Sequence, residues 1–115
     1  MATPATSSSQ KIAFITGGNR GIGFETARQL GALGILPVIG VRSADAAQNA
    51  LAQLRDFGVQ AEAIVFDATI RADRQKAYDF FEAKAGRLDI LINNAGVYLE
   101  GEPGVATDFS ASNLP

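Results

Sequence analysis

Apolar residues along this chain gather into four short continuous runs, and the three stretches between them carry apolar positions at helical spacing. The first run, Lys11 to Thr16, stops at a pair of glycines. A helix is expected to begin near Arg20 or Gly21, with Ile22, Thr26, Leu30 and Leu33 as its buried stripe and Gly34 as a left-handed cap. The second run, Ile35 to Val41, leads into Ser43, a good N-cap for a helix bearing Ala47, Leu51 and Leu54 on one face and stopping at Gly58. The third run spans Val59 to Phe66 and is closed by Asp67. A helix from Ala72 to Ala85 follows, with Ala77, Phe80, Phe81 and Ala85 as its apolar residues and Gly86 as its stop. The fourth run, Leu88 to Ile92, ends at Asn93-Asn94-Ala95-Gly96.

Strands alternating with helices imply a parallel sheet covered on both faces. Continuous apolar runs suit such doubly covered strands better than alternating ones would. Right-handed crossovers leave few topologies, and the doubly wound order 3-2-1-4, with the fourth strand beside the first, is the natural choice. The expected fold is therefore α/β, a Rossmann-like doubly wound parallel sheet in truncated form, with about four strands and three helices. Residues 1–10 read as a disordered tail, 11–97 as the nucleotide-binding domain and 98–115 as an irregular segment rich in Gly, Pro, Ser, Asp and Asn. In this reading strand four is left with an open apolar edge.

Composition narrows the chemistry. The 115 residues suffice for one small domain, nearly half of them apolar. The net charge of −2 and the lack of a basic stretch argue against nucleic acid or a membrane surface as partner. Without cysteine or histidine, the chain has no disulfide, no thiolate nucleophile, no imidazole base and no Cys- or His-ligated metal. The first ten residues lack the basic and apolar regions of a secretory signal, so a cytoplasmic location is the default expectation.

The chemistry is concentrated between strand one and helix one. Glycines 17, 21 and 23 stand where the chain turns from strand to helix. They permit tight turns and close approach of a ligand to the backbone. The helix N-terminus beyond them offers unpaired N–H groups and a partial positive charge, a natural seat for a pyrophosphate. The spacing is G-x-x-x-G-x-G, and no Lys followed by Ser or Thr completes a P-loop. A packing turn alone would also use glycines, but the position after a strand and before a helix is the context that favours phosphate binding.

The loop Thr16-Gly17-Gly18-Asn19-Arg20-Gly21-Ile22-Gly23 resembles the TGxxxGxG cofactor loop of the short-chain dehydrogenase/reductase family. Asn93-Asn94-Ala95-Gly96 resembles that family's NNAG motif after strand four, and Asp67 stands where the family places an acid after strand three. The resemblance covers residues 11 to 100 or so, and the joint match is specific. It implies a pyrophosphate and ribose lined by the backbone of Gly17, Gly18, Asn19, Arg20, Gly21, Ile22 and Gly23. It further implies an adenine met by Asp67 and Ala68, and a ribose above Asn94, Ala95 and Gly96. Asp67 has a simpler role open to it, capping the turn after strand three. Asn93 and Asn94 have another, bonding to backbone across neighbouring strands; the weight falls on structure for Asn93 and on cofactor contact for Asn94.

NAD-selective sites place a carboxylate at the end of strand two. Here Val41-Arg42-Ser43 stands there, with no acid before Asp45. Arg42, with Ser43 beside it and Arg20 in the loop, favours NADP(H) over NAD(H), because a guanidinium pairs with a 2′-phosphate in a charge-assisted fork. A solvated surface role for Arg42 is the plain alternative.

The resemblance implies hydride transfer between a carbonyl and an alcohol on a small-molecule substrate, by a Tyr-x-x-x-Lys pair on a later helix. That pair is not identifiable: Glu82 lies four residues after Tyr78, and Glu102 four after Tyr98. Ser110, Ser112 and Asn113 lie too early for the family's other catalytic positions. The expectation is an NADP(H)-dependent reductase seen in its nucleotide-binding half, inactive alone, with a homo-oligomer compatible with the full-length enzyme. Two other readings share the fold: a non-catalytic dinucleotide-binding module, and a truncated gene product that binds nothing.

Overall fold

A computed structural model describes residues 10–94. The expected tail before residue 10, the irregular segment 98–115, and the candidate site residues Ala95 and Gly96 lie outside the described residues. The elements run β1 (Ile12–Thr16), α1 (Gly21–Ala32), β2 (Leu36–Val41), α2 (Ala44–Asp56), β3 (Glu62–Val65), α3 (Arg71–Ala85) and β4 (Ile90–Asn93). The four strands form one parallel sheet in the order β3-β2-β1-β4, as the sequence predicts. Ile12 pairs with Leu36 and Thr16 with Gly40, while Ala13 pairs with Ile90 and Thr16 with Asn93 on the other side. β1 is thus central, and all five of its residues are buried.

Alternate residues of the central strands supply two cores. Ala13, Ile15, Ile39 and Val41 join Ala27, Ala50, Leu54 and Val59 beneath α1 and α2. Ile12, Phe14 and Val38 join Phe66, Ala77 and Phe81 beneath α3. The second core is aromatic: the Phe14 ring centroid lies 5.1 Å from Phe66 and 5.2 Å from Phe81, both in non-stacked arrangements.

The expected glycine stops close the helices. Gly34 and Gly58 adopt φ of 88° and 81°. Gly34 N–H donates to the Gly31 carbonyl and Ile35 N–H to the Leu30 carbonyl, each at 3.0 Å. Gly58 and Val59 repeat the arrangement on Arg55 and Leu54 at 2.8 and 2.9 Å. Both are Schellman ends, which satisfy the last carbonyls and fold an apolar residue back onto the helix. Ser43 caps α2 as expected, its Oγ accepting from Ala46 N–H at 3.1 Å.

Two expectations need correction. The buried stripe of α1 is not Ile22, Thr26, Leu30 and Leu33: Ile22 is 78% exposed and Leu33 75%. α1 instead buries Gly23 and Ala27, with Phe24 and Leu30 partly packed beside them. The inward face of α1 carries small residues where its neighbours come close, and Ile22 and Leu33 lie outward. A Cβ on Gly31 would collide with the Val59 side chain. The third apolar run also yields a shorter strand than its length suggests, Glu62–Val65, because Val59 belongs to the end of α2. α3, in contrast, agrees with its expected span to within one residue, Arg71–Ala85.

β4 pairs with β1 alone among the described residues, and Leu91 on it is 61% exposed. Beside it, Phe14, Phe66, Phe81, Tyr78, Leu88 and Leu91 line an apolar groove of about 470 Å³.

Stability should follow this packing rather than the sequence pattern. Phe81→Ala is expected to cost about 3 kcal/mol by leaving a cavity under α3. Leu33→Ser, at a position the pattern alone places in the core, should stay within about 0.5 kcal/mol of the parent. Urea denaturation of the two variants checks the contrast, and a large loss for Leu33→Ser would contradict the observed packing.

Candidate dinucleotide-binding site

The site lies at the carboxyl end of β1, where the chain leaves the middle of the sheet and enters α1. Gly17 and Gly21 hold positive φ angles of 68° and 61°, which side-chain-bearing residues rarely adopt. Gly17 is fixed twice. Its N–H donates to the Gly40 carbonyl on β2 at 2.8 Å. Its carbonyl accepts from Asn94 Nδ2, beyond β4, at 3.2 Å. The loop is therefore tied to both neighbours of β1.

Gly23 lets the first turn of α1 settle against that anchored residue. A Cβ there would strike the Gly17 carbonyl oxygen and lie 2.7 Å from Asn94 Nδ2. Arg20 is the N-cap residue in extended conformation, but no side chain caps the helix and its first turn holds no acid. The first amides of a helix have no intrahelical acceptor, so this uncapped end is free to receive an anion. A Cβ on Gly21 would meet nothing within 4 Å, so the mouth is open. These features fit the bridging phosphates of a dinucleotide. Gly18 is buried, Asn19 half-buried, and Arg20 and Ile22 exposed around the opening.

The end of β2 brings Arg42 and Ser43 to the same edge of the sheet. Arg42 is exposed, and the Ser43 hydroxyl oxygen serves the α2 cap. The end of β3 brings Asp67 and Ala68. Asp67 Oδ1 accepts from Thr69 N–H at 2.9 Å and from Thr69 Oγ1 at 2.7 Å, so the turn-capping role is realised. These bonds and the nearby Arg42 charge hold the Asp67 carboxyl below its ordinary range. The Ala68 carbonyl accepts from Arg74 Nη1 at 2.7 Å.

Both asparagines bond across strands. Asn93 Oδ1 accepts from Thr16 Oγ1 at 3.1 Å, the structural role expected of it. Asn94 takes an equivalent role on Gly17, which places it at the loop and engages its amide there. Three supporting roles escaped the sequence reading. Thr16 is a buried polar group on the central strand. Asp73 accepts from Asp67 N–H at 2.9 Å, fixing the turn after β3. Asp89 accepts from Ile12 N–H at 2.8 Å and so anchors the start of β1. Only the acid in the first turn of α3 carries a sequence signal, its favourable place near a helix N-terminus.

With this geometry established, comparison with known proteins is direct. The family model described as short chain dehydrogenase matches residues 11–114, and the chain belongs to that oxidoreductase family. It is 34% identical over 105 residues to short-chain dehydrogenase/reductase 1 of Saponaria officinalis, covering 89% of this chain and 33% of that protein. It is 38% identical over 98 residues to salutaridine reductase of Papaver bracteatum, covering 82% and 31%. Among solved structures, a metagenomic short-chain oxidoreductase in complex with NADP aligns with a TM-score of 0.70 and 34% identity, over 79% of this chain and 42% of that one. An actinorhodin polyketide ketoreductase with NADPH aligns at 0.73 and 31%, over 84% and 36%. The chain spans about a third of the length of the curated relatives it matches. Among the described residues no helix is long and apolar enough to cross a membrane, and no group of acids could hold a metal.

Three carboxylates of this domain are expected to make its stability acid-sensitive. Asp67 and Asp89 are held below their ordinary range by the hydrogen bonds they accept, and Glu25 is lowered to about 2 by Arg28 and Gln29. A depressed folded-state value contributes stability above the unfolded value and loses it as pH falls through the folded one. Melting temperature should therefore be flat near neutrality and fall below the ordinary carboxylate range. In Asp67→Asn the drop between neutral pH and pH about 3 should be smaller than in the parent. An unchanged drop would show that the Thr69 bonds do not favour the charged form.

Proposed function

We propose that this chain is the nucleotide-binding half of an NADP(H)-dependent reductase that transfers hydride between a carbonyl and an alcohol. The observation that carries the reading is the uncapped, acid-free N-terminus of α1, opened by Gly21 and Gly23 at the end of a central strand. In this reading the backbone from Gly17 to Gly23 lines the pyrophosphate and ribose, and the open amides at the start of α1 receive the phosphates. Asp67 and Ala68 flank the adenine, and Asn94 leads toward the ribose, followed by Ala95 and Gly96. Bound there, the dinucleotide supplies the hydride. The residues described here bind and orient it.

Arg42 supports NADP(H) over NAD(H). It is exposed at the end of β2 with Ser43 beside it, and no carboxylate stands there to accept a ribose 2′-hydroxyl. Two structural neighbours were solved with NADP or NADPH, which agrees with this choice. The sequence holds no Tyr-x-x-x-Lys pair, so the chain by itself binds the cofactor without turning over a substrate.

Titration with NADPH and NADH by nucleotide fluorescence tests the reading. NADPH should bind more tightly, with no oxidation when simple ketones are added. Arg42→Asp should weaken NADPH by about tenfold or more, the worth of a charge-assisted contact, and leave NADH little changed. Equal losses for the two nucleotides would reject Arg42 as the 2′-phosphate residue. Failure of the parent chain to bind either would reject the whole assignment.

A further inference from the structure

Four glycines occupy the cofactor loop, and three of them answer to the demands already described. Gly18 does not. It has no positive φ and does not face α1. What excludes a side chain there is β2: a Cβ on Gly18 would lie 2.5 Å from Ile39 Cγ2, 2.8 Å from Ile39 Cβ and 3.2 Å from the Ile15 carbonyl oxygen. The loop rests directly on the Ile39 side chain.

Ile39 is poorly placed to yield. It is fully buried, and it packs in the aliphatic core beneath α1 and α2 with Ala13, Ile15, Ala27 and Val41. Close-packed interiors resist even a methyl group added against them. On one side of this contact the loop continues through Asn19 to Arg20, the N-cap residue of α1. On the other, β2 continues through Gly40 and Val41 to Arg42. Gly17 N–H already donates to the Gly40 carbonyl at 2.8 Å, so the two segments are also joined by a hydrogen bond next to the Gly18–Ile39 contact.

We infer that Ile39 is a positioning residue for the cofactor site, its side chain setting the height at which the Gly18–Arg20 segment sits above β2. It touches no part of a dinucleotide itself. It fixes the seat of the loop, and through the loop the placing of the open α1 amides relative to Arg42. The inference rests on the nucleotide-binding reading for its functional consequence, but the contact has a consequence that needs no nucleotide. A methyl group at position 18 should lift the loop and loosen the Gly17–Gly40 hydrogen bond.

Two variants of the full chain test this, Gly18→Ala and Gly18→Ala combined with Ile39→Gly, which removes both Cγ2 and Cβ, the two nearest atoms. The first readout is amide hydrogen exchange at Gly17, and the second is NADPH binding by fluorescence. Gly18→Ala should speed Gly17 exchange and raise the NADPH dissociation constant by about tenfold, the effect expected of overpacking at a filled contact. Trimming Ile39 in that background should slow Gly17 exchange and recover binding, even though the second substitution removes core contacts. A role for Ile39 in stability alone predicts the opposite, a further loss in both. The inference is overturned if Gly18→Ala matches the parent, or if the double variant is no better than the single, including the case in which neither folds. If exchange is rescued while the parent itself binds no NADPH, the contact stands as a fixer of loop geometry and the nucleotide-binding reading falls.

Discussion

The structure turns on one close approach, that of the first turn of α1 to the Gly17 carbonyl. Because Gly23 has no Cβ, the helix begins directly against the loop that precedes it. The loop in turn is fixed from β2 by the Gly40 carbonyl and from beyond β4 by the Asn94 amide. Three strands therefore determine where one helix starts. That is why the amides of its first turn form a fixed array, and a fixed array of donors can hold an anion without first paying to order itself.

The same approach divides the two faces of the sheet. Beneath α1 Gly23 and Ala27 are buried, Phe24 and Leu30 pack partly beside them, and this core is filled by aliphatic side chains from β1 and β2. Beneath α3 the spacing is taken up by Phe14, Phe66 and Phe81. Gly40 makes that possible, since a Cβ there would lie 2.9 Å from Phe14 Cε1. Glycines in this domain thus serve two separate ends. Some supply backbone conformations that other residues resist, and others yield their side-chain space to a neighbour.

Much of this was legible in the sequence where the cause is local. Runs of apolar residues gave the strands, and their alternation with helices gave the sheet order. Gly34, Gly58 and Gly86 marked helix ends because a left-handed residue is needed at that point whatever surrounds it. The face of α1 was not legible. Periodicity assigns burial to the largest apolar residues, yet here Ile22 and Leu33 face outward, and α1 meets the Gly17 carbonyl and the Val59 side chain through Gly23 and Gly31. Nor could spacing reveal that Asp73 holds the backbone of Asp67, or that Asp89 anchors Ile12 across 77 residues of chain. Those bonds exist only once the strands have met. Asn94 shows the limit from the other side: its place at the loop was readable, but not the carbonyl its amide would engage.

The two halves of the candidate site are built on different physics, and this bears on how each responds to change. In the proposed reading the phosphate loop would work through main-chain groups held by buried contacts, so its donors would persist whatever the surface charge around them. Cofactor choice, as proposed for the end of β2, would depend on side-chain charge. Arg42 is exposed there, and its field already acts on Asp67. A guanidinium in water interacts weakly with any single partner and is screened by salt. It gains strength when a phosphate with its own charge displaces that screening and accepts the planar fork. Affinity for the shared part of a dinucleotide should therefore be a property of the fold, robust to ionic strength. Discrimination between phosphorylated and unphosphorylated ribose should fade as salt rises, because it is carried by a few surface charges that the core does not shelter.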